Sequence, residues 1–306
     1  MVKKKTKSRL SVSIGKLKLK NPVLVASGTF GYGQEYKDLV PLKKLGGIIT
    51  KTITLKPRKG NPPPRIAETY LGMINAIGLE NPGLEVFLKE KLPFLQKLGI
   101  PVIVSIAAET PEEFSEMAER LSKVKSVSAL ELNISCPNLG KKGLISQDAE
   151  ATYEIVRAVK KAAGLTIITK LSPNVTDITE IARAAEEAGS DCLSLVNTFF
   201  AMAVDIKTRK PKLANVTGGL SGPAIKPQAL WMVREVYQAV SIPLIGMGGI
   251  MNARDALEFI ICGANAIAVG TGNFVNPRAG IEIVEGIERY LKENKIKNIK
   301  ELMGKL

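Results

Sequence analysis

One segment of the chain, ALELNISCPN at residues 129–138, places a thiol where a run of alternating apolar residues ends. Cys136 is followed by Pro137, and the amides Asn133 and Asn138 stand on either side of the thiol. The chain contains no histidine, so the commonest general base and the usual partner of a catalytic cysteine are both absent. Proton transfer must therefore use Cys, Asp, Glu, Lys or Tyr, and Cys136 is a candidate.

Two lysines, Lys51 and Lys170, end segments that are otherwise apolar. A lysine buried at such a position needs an anionic partner or a lowered pKa. One of them could face an electron-rich ring of a ligand, and the other a substrate carboxylate. A Schiff-base lysine, as in barrel aldolases, is an alternative chemistry, and a structural lysine reaching towards solvent is a third interpretation.

Amide side chains recur at comparable places in the chain. Asn75, Asn133, Asn138 and Asn197 each offer a donor and an acceptor, which suits a flat ligand rimmed with N–H and C=O groups. Each of them taken alone could equally cap a turn. By contrast, Cys192 and Cys262 resemble ordinary small apolar residues.

Glycines follow two late apolar runs: the pair Gly248-Gly249 after one, and Gly270, which precedes Thr271, after the other. Backbone N–H groups can approach a phosphate closely only where no side chain intervenes, so these sites predict a phosphorylated ligand. Tight turns are the simpler alternative. The segment GMGGIM lacks the spacing and the later acidic residue of a dinucleotide fingerprint.

Eight short apolar runs, each followed by helical sequence, must position these residues. They are residues 21–27, 46–52, 101–107, 129–135, 165–171, 192–198, 242–249 and 266–271. Runs that are apolar almost throughout are typical of parallel strands covered on both faces. The pattern favours a (β/α)₈ TIM barrel over an open doubly wound sheet, as a single domain over residues 1–306.

Local signals refine this prediction. Residues 11–20 read as a short hairpin around Gly15, and Thr110 with Glu113 predicts a capping box at a helix start. Helices are also predicted over residues 177–189, from Asp177 to a stop at Gly189, and over residues 252–263, from Asn252 to Gly263. The irregular stretch 55–83 is too long to be a simple connection between two elements, so it predicts an excursion with a functional role.

Composition excludes several classes of protein. The 306 residues are 45% hydrophobic without an apolar run long enough to cross a bilayer, so no membrane association and a cytoplasmic location are expected. The net charge of +14 is concentrated at the two ends of the chain, which disfavours nucleic-acid binding. Three dispersed cysteines predict neither disulfides nor a metal site.

The motifs resemble those of the class 1 dihydroorotate dehydrogenases, in particular the type B branch. The resemblance covers nearly the whole chain: ASGTFGYG, NPPPRIAET, GMINAIGLENPG, ELNISCPN, NTFFAMAVDIKTRKP, ANVTGGLSGPAIKP, IGMGGIMNARDALEFI and VGTGNF. It implies a barrel that holds FMN and oxidises dihydroorotate to orotate in pyrimidine biosynthesis.

The resemblance also implies roles for individual residues. Cys136 matches the catalytic base. The positions that match substrate-binding residues are Lys51, Asn75, Asn133, Asn138, Asn197 and Thr198. Those that match cofactor-binding residues are Ser27, Lys51, Thr52, Asn133, Lys170, Gly222, Gly248, Gly249, Gly270 and Thr271. No metal ligand is implied.

The same resemblance implies partners. A homodimer is expected to join an electron-transfer subunit that carries FAD and a [2Fe–2S] cluster, as a heterotetramer that passes electrons to NAD. The chain itself lacks the four clustered cysteines that would bind a [2Fe–2S] cluster and the G-x-G-x-x-G unit that would bind a dinucleotide, as expected if the partner subunit binds both groups. The alternatives are a self-sufficient homodimer using fumarate, as in the type A branch, a Schiff-base aldolase and a non-catalytic basic binding protein.

Overall fold

Sixteen strands occur in the computed structural model, which describes residues 9–135 and 144–306. In chain order they are β1 (Val12–Ile14), β2 (Leu17–Leu19), β3 (Val23–Val25), β4 (Gly47–Ile49), β5 (Ile66–Thr69), β6 (Gly72–Asn75), β7 (Val102–Ile106), β8 (Ala129–Asn133), β9 (Thr166–Lys170), β10 (Cys192–Leu195), β11 (Phe199–Met202), β12 (Val204–Asp205), β13 (Lys210–Pro211), β14 (Thr217–Ser221), β15 (Leu244–Gly246) and β16 (Ala266–Val269).

The α-helices of the same described ranges connect these strands. They are α1 (Gly83–Val86), α2 (Leu92–Gln96), α3 (Pro111–Ser122), α4 (Ala149–Ala162), α5 (Ile178–Glu187), α6 (Lys226–Ala239), α7 (Ala253–Ile261), α8 (Gly272–Val275) and α9 (Ala279–Glu293). A π-helical segment, Phe87–Lys91, joins α1 to α2. No helix in the described part of the chain is long and apolar enough to cross a membrane.

Eight parallel strands close into a barrel in the order β3, β4, β7, β8, β9, β10, β15 and β16, and β16 pairs with β3. Each of them lies within one of the eight apolar runs, so the predicted (β/α)₈ barrel is confirmed. Strands such as β3 and β15 are buried at every residue because helices cover one face and the barrel core the other.

The helix caps explain where the helices begin and end. Thr110 accepts a hydrogen bond from the N–H of Glu113 at 3.3 Å, as predicted for the start of α3. The predicted capping box is wrong in its second half, since the Glu113 carboxylate accepts from the N–H of Glu109 at 3.2 Å. After α5 and α7 the chain turns at Gly189 and Gly263, where φ is 101° and 123°.

The predicted hairpin is β1 paired with β2, and it packs at the amino end of the barrel. Ile14 is fully buried. A Cβ placed on Gly15 would lie 2.9 Å from the Cβ of Asp191 and 3.1 Å from Thr166, at the amino ends of β10 and β9. The hairpin therefore contacts the end of the barrel opposite to the one where the strands terminate.

A four-stranded antiparallel sheet, which we call the mouth sheet, lies over the carboxyl end in the order β11-β14-β6-β5. The stretch 55–83 was predicted to be irregular, and this is wrong, because it contains β5 and β6. Their partner β14 comes from the loop after β10 and carries Gly218 and Gly219. A Cβ on Gly219 would lie 2.0 Å from the Thr198 hydroxyl, so the close approach of this strand requires glycine.

Candidate active site

A cavity of about 480 Å³ opens at the carboxyl ends of the barrel strands, beneath the mouth sheet. It is lined by every predicted site residue that lies in the described part of the chain: Ser27, Lys51, Thr52, Asn75, Asn133, Lys170, Asn197, Thr198, Gly222, Gly248, Gly249, Gly270 and Thr271. The barrel brings them together because its parallel strands all end at one rim. The predicted residues Cys136 and Asn138 lie outside the described residues.

Two lysines give the cavity a positive charge. Lys170 ends β9 and is only 6% exposed, and its ammonium group forms no hydrogen bond or ion pair with the described residues. Lys51 follows β4 and is half-buried, with its backbone N–H bonded to the carbonyl of Gly31 at 2.9 Å. A buried cation that lacks a protein partner is costly, so the cavity suits an anionic or electron-rich ligand.

Amide side chains from neighbouring strand ends form one connected group. The Asn197 Nδ2 donates to the Ser135 hydroxyl at 2.8 Å and to the Asn133 Oδ1 at 3.4 Å. The Asn197 Oδ1 accepts from the N–H of Thr198 at 2.9 Å. These bonds fix which way each amide faces, so the group presents an ordered row of donors and acceptors.

The mouth sheet contributes Asn75, the third predicted amide that lies in the described part of the chain. Asn75 ends β6, and its Nδ2 donates to the carbonyl of Gly219 on β14 at 3.3 Å. Asn75 is also the register partner of Gly219 in the sheet. The antiparallel pairing therefore carries Asn75 over the barrel mouth, where it lines the same cavity as Asn133 and Asn197.

A chain of hydroxyl groups leads from the cavity into the barrel. Thr52 Oγ1 lies 3.0 Å from Ser27 Oγ and 2.9 Å from the buried Ser105 Oγ. It also accepts from Asn133 Nδ2 at 3.3 Å. Thr52 therefore connects the first three strand ends to the amide group, and its position is fixed by three contacts.

The glycine loops after β15 and β16 leave backbone donors available. Within the described residues, no hydrogen bond uses the N–H groups of Gly248, Gly249, Gly270 or Thr271. A Cβ on Gly249 would lie 2.8 Å from the carbonyl oxygen of Gly222, whereas a Cβ on Gly270 would have only the Cβ of Ala26 nearby, at 3.8 Å. The loops are thus closely packed behind and open towards the cavity, as an anion site requires.

An ion-pair cluster holds the first of these loops from behind. Asp255 Oδ2 accepts from the N–H groups of Met251 and Asn252 at 2.9 and 3.2 Å. Lys226 donates to Asp255 at 2.6 Å and to Glu258 at 2.8 Å. Partial burial lowers the pKa of Lys226, but the hydrogen bonds to Asp255 and Glu258 outweigh it and raise that pKa above its ordinary value.

Several residues of the cavity were not predicted. Arg65 pairs with Glu80 at 2.5 Å and donates to the carbonyl of Asn61 at 3.3 Å, so it ties the two ends of the excursion together. The other unpredicted lining residues are Ala26, Gly28, Thr29, Ile66, Met73, Ala76, Ile77, Gly78, Leu79, Ser135, Ser221, Met247 and Phe274. Ser135, Ala26 and Gly28 had a usable signal, because each stands beside a predicted residue at a strand end.

The two cysteines inside the described ranges lie away from the cavity. Cys192 is fully buried in β10. Burial raises the pKa of its thiol well above the ordinary value, and the nearby carboxylates of Asp191 and Glu131 add to the effect. Cys262 is also buried, and burial again raises its pKa. Neither thiol is poised to act as a nucleophile or base.

Comparisons with known proteins agree with the geometry. The family model described as dihydroorotate dehydrogenase matches residues 9–291. The "Dihydroorotate dehydrogenase B (NAD(+)), catalytic subunit" of Geotalea uraniireducens is 54% identical over 301 residues, which are 98% of this chain and 99% of that protein.

Two further relatives carry the same name. The protein of Desulforamulus reducens is 55% identical over 299 residues, 97% of this chain and 98% of its own length. That of Caldicellulosiruptor saccharolyticus is 54% identical over 298 residues, 97% of this chain and 99% of its own length. The similarity therefore extends over the barrel, the mouth sheet and the cavity alike.

Proposed function

Because the chain belongs to the dihydroorotate dehydrogenase family, we propose that it oxidises (S)-dihydroorotate to orotate in pyrimidine biosynthesis, as the catalytic subunit of an NAD-linked enzyme. The observation that carries this proposal is one positively charged cavity lined by all the described residues that the family resemblance assigned to substrate and cofactor. The location in the cytoplasm stays a prediction.

The cavity meets the chemical needs of FMN. The unused N–H groups of Gly248, Gly249, Gly270 and Thr271 suit its phosphate, and the unpaired Lys170 suits the electron-rich edge of its ring. Side-chain atoms at Gly270 would project into open space rather than into protein, which leaves room for a bound group. FMN supplies the hydride acceptor when it is bound.

The residues of the chain must then handle the substrate and one proton. Oxidation of the substrate C–C bond removes a hydride from one carbon and a proton from its neighbour. We assign the proton to Cys136 Sγ, which in its thiolate form would accept it and become a thiol. Asn75, Asn133, Asn138, Asn197 and Thr198 would bind the ring amides of the substrate, and Lys51 its carboxylate.

The electrons are assigned to a partner subunit, in keeping with the word "subunit" in the names of the relatives. An apolar patch supports this assignment: Tyr70 is 92% exposed, Leu71 59%, Phe274 52% and Val275 71%. It lies beside the cavity, since a Cβ on Gly222 would lie within 3.6 Å of both Leu71 and Thr271. FAD and a [2Fe–2S] cluster on that partner, and a homodimer within a heterotetramer, belong to the proposal.

A flavin spectrum and three parallel assays test the function. The purified chain is expected to carry FMN and to oxidise dihydroorotate with an artificial dye, while reducing NAD slowly or not at all without a partner. Absence of flavin together with substrate-dependent borohydride trapping at Lys170 would instead indicate an aldolase. Brisk fumarate reduction would indicate type A behaviour, and efficient NAD reduction by the isolated chain would contradict dependence on a partner.

A further inference from the structure

One carboxylate lies inside the barrel without full hydrogen bonding. Glu131, in the middle of β8, is 0% exposed. Its Oε2 accepts from the Ser194 hydroxyl at 3.0 Å, but its Oε1 is buried and has no hydrogen-bond partner among the described residues. A buried carboxylate with a single donor is costly unless an opposite charge compensates it.

The strand register places Lys170 next to this carboxylate. Glu131 pairs with Ile168 on β9, two residues before Lys170, and Ser194 on β10 pairs directly with Lys170. With a strand spacing of about 4.8 Å and a rise of about 3.3 Å per residue, the Cα atoms of Glu131 and Lys170 are about 8 Å apart. The bond to Ser194 draws the carboxylate across β9 towards the lysine.

The two register partners of Glu131 in the sheet do not supply a compensating charge. The register partners of Glu131 are Ser105 on β7 and Ile168 on β9, both neutral and fully buried. Lys170 is a buried cation that lacks a protein partner in the described part of the chain. Each of the two charged groups therefore lacks what the other could supply, at a distance where a low-dielectric interior transmits their attraction.

We propose that Glu131 is the buried counter-charge of Lys170 and acts as a positioning residue for it. The carboxylate beneath the barrel mouth holds the ammonium group in place and offsets part of its charge. When a ligand ring binds above Lys170, Glu131 limits how strongly the lysine stabilises negative charge on that ring. This last consequence rests on the proposed function, whereas the charge pair itself does not.

A double-mutant cycle on the apoprotein tests the charge pair without any flavin. Lys170→Met should lower the melting temperature, since it leaves Glu131 as an unpaired buried charge. Adding Glu131→Gln should restore at least half of the decrease in melting temperature, so the effects of the two substitutions should be strongly non-additive. Purely additive effects would overturn the inference, as would a double variant that fails to fold when Lys170→Met folds.

Ser105→Ala provides a matched control for this cycle. Ser105 is the register partner of Glu131 and is equally buried, but it is neutral. Its removal should destabilise the apoprotein by the same amount with or without Lys170→Met. Equal coupling of Ser105→Ala and of Glu131→Gln to Lys170→Met would mean that general packing, and not charge, links the sites, and would overturn the proposal.

The FMN-loaded protein gives the second measurement. Glu131→Gln should raise the midpoint potential, with about a tenfold change in the two-electron equilibrium, or about 30 mV. An unchanged potential with FMN bound would show that Glu131 exerts no charge on the ring and would overturn that part. If no variant and no wild-type protein bound FMN, the proposed function would fail while the apoprotein cycle still decided the charge pair.

Discussion

The two ends of the barrel use the same eight strands but treat polar groups in opposite ways. At the amino end, the Asp191 carboxylate accepts from Lys160 Nζ at 2.7 Å and from the N–H of Ile167 at 2.9 Å. At the carboxyl end, the Lys170 ammonium group forms no hydrogen bond with the described residues, and four N–H groups of the glycine loops are unused there as well. Unsatisfied groups are thus concentrated where a ligand can satisfy them.

The contrast indicates how stability is distributed. The amino end is closed by an apolar hairpin and satisfied ion pairs, so it contributes to folding without any ligand. The carboxyl end contains buried polar groups whose missing hydrogen bonds lower the stability of the free protein. A bound ligand that satisfies these groups should raise the free energy of unfolding. A ligand present at a hundred times its Kd would stabilise the fold by about 2.7 kcal/mol.

The largest expected effect comes from removing the proposed base, Cys136. In Cys136→Ala, dihydroorotate should reduce the bound flavin at least about a hundredfold more slowly, the lower range for loss of a general base. FMN should remain bound because other residues hold it. Stopped-flow absorbance measures the rate, and Cys262→Ala is the matched control that should keep it. A near wild-type rate in Cys136→Ala would remove this thiol from the mechanism.

A large change at the amino end should act on stability alone. Ile14→Ala removes a fully buried side chain of the hairpin and should lower the free energy of unfolding by about 2–5 kcal/mol. Urea unfolding of the apoprotein measures this loss. At a temperature where the variant stays folded, the rate of flavin reduction should match the wild type. If the rate fell together with the stability, the two ends would not be separable.

Two lysines from consecutive elements, Lys160 in α4 and Lys170 at the end of β9, allow a comparison of intermediate magnitude. Lys170→Ala should lower the flavin potential by about 30 mV, a tenfold change in the two-electron equilibrium, and weaken FMN binding, since its cation stabilises charge on the reduced ring. Lys160→Ala should leave the potential unchanged and destabilise the fold by unpairing Asp191. Spectroelectrochemical titration of both variants is decisive; equal potentials in both would refute the role of Lys170.

The smallest expected effect concerns the ion pair behind the first glycine loop. The pKa of Lys226 is raised in the fold above its ordinary value of 10.5, so its contribution to stability is fully present below about pH 10.5. It is lost as the pH rises through the raised pKa. The stability difference between wild type and Lys226→Met, about 1 kcal/mol at most, should therefore shrink above pH 10.5. A difference that grows with pH would contradict this sign.

Much of the fold and the site could be predicted because their signals are local. The eight barrel strands are covered on both faces, so each reads as a short and mostly apolar run. The caps at Thr110 and Asn252 accept from N–H groups no more than three residues further along the chain. Many of the site residues stand at the ends of barrel strands, which must all meet at the same rim. The role of Gly222, by contrast, was implied only by the family resemblance. Lys51 and Lys170 stood out as charges at the ends of such runs.

The remaining features depend on contacts distant in the sequence. The complete mouth sheet was not predicted because the hairpin of β5 and β6 must pair with the distant β14, where Gly218 and Gly219 weaken the strand signal. The pair Arg65 and Glu80 likewise forms only once the excursion folds back on itself. The role of Glu131 could not be read from the strand pattern, since it depends on Ser194, which lies two strands away on β10.

The pairing of Asn75 with Gly219 joins residues 144 positions apart. Contacts of such separation form slowly, because the entropy of closing a long loop must be lost before the contact is gained. The amino-end hairpin and the individual βα units are local, so they can form first. During refolding, helical circular dichroism should therefore recover before binding of orotate does, and simultaneous recovery would contradict this order. The chain would become a folded scaffold some time before it becomes a catalyst.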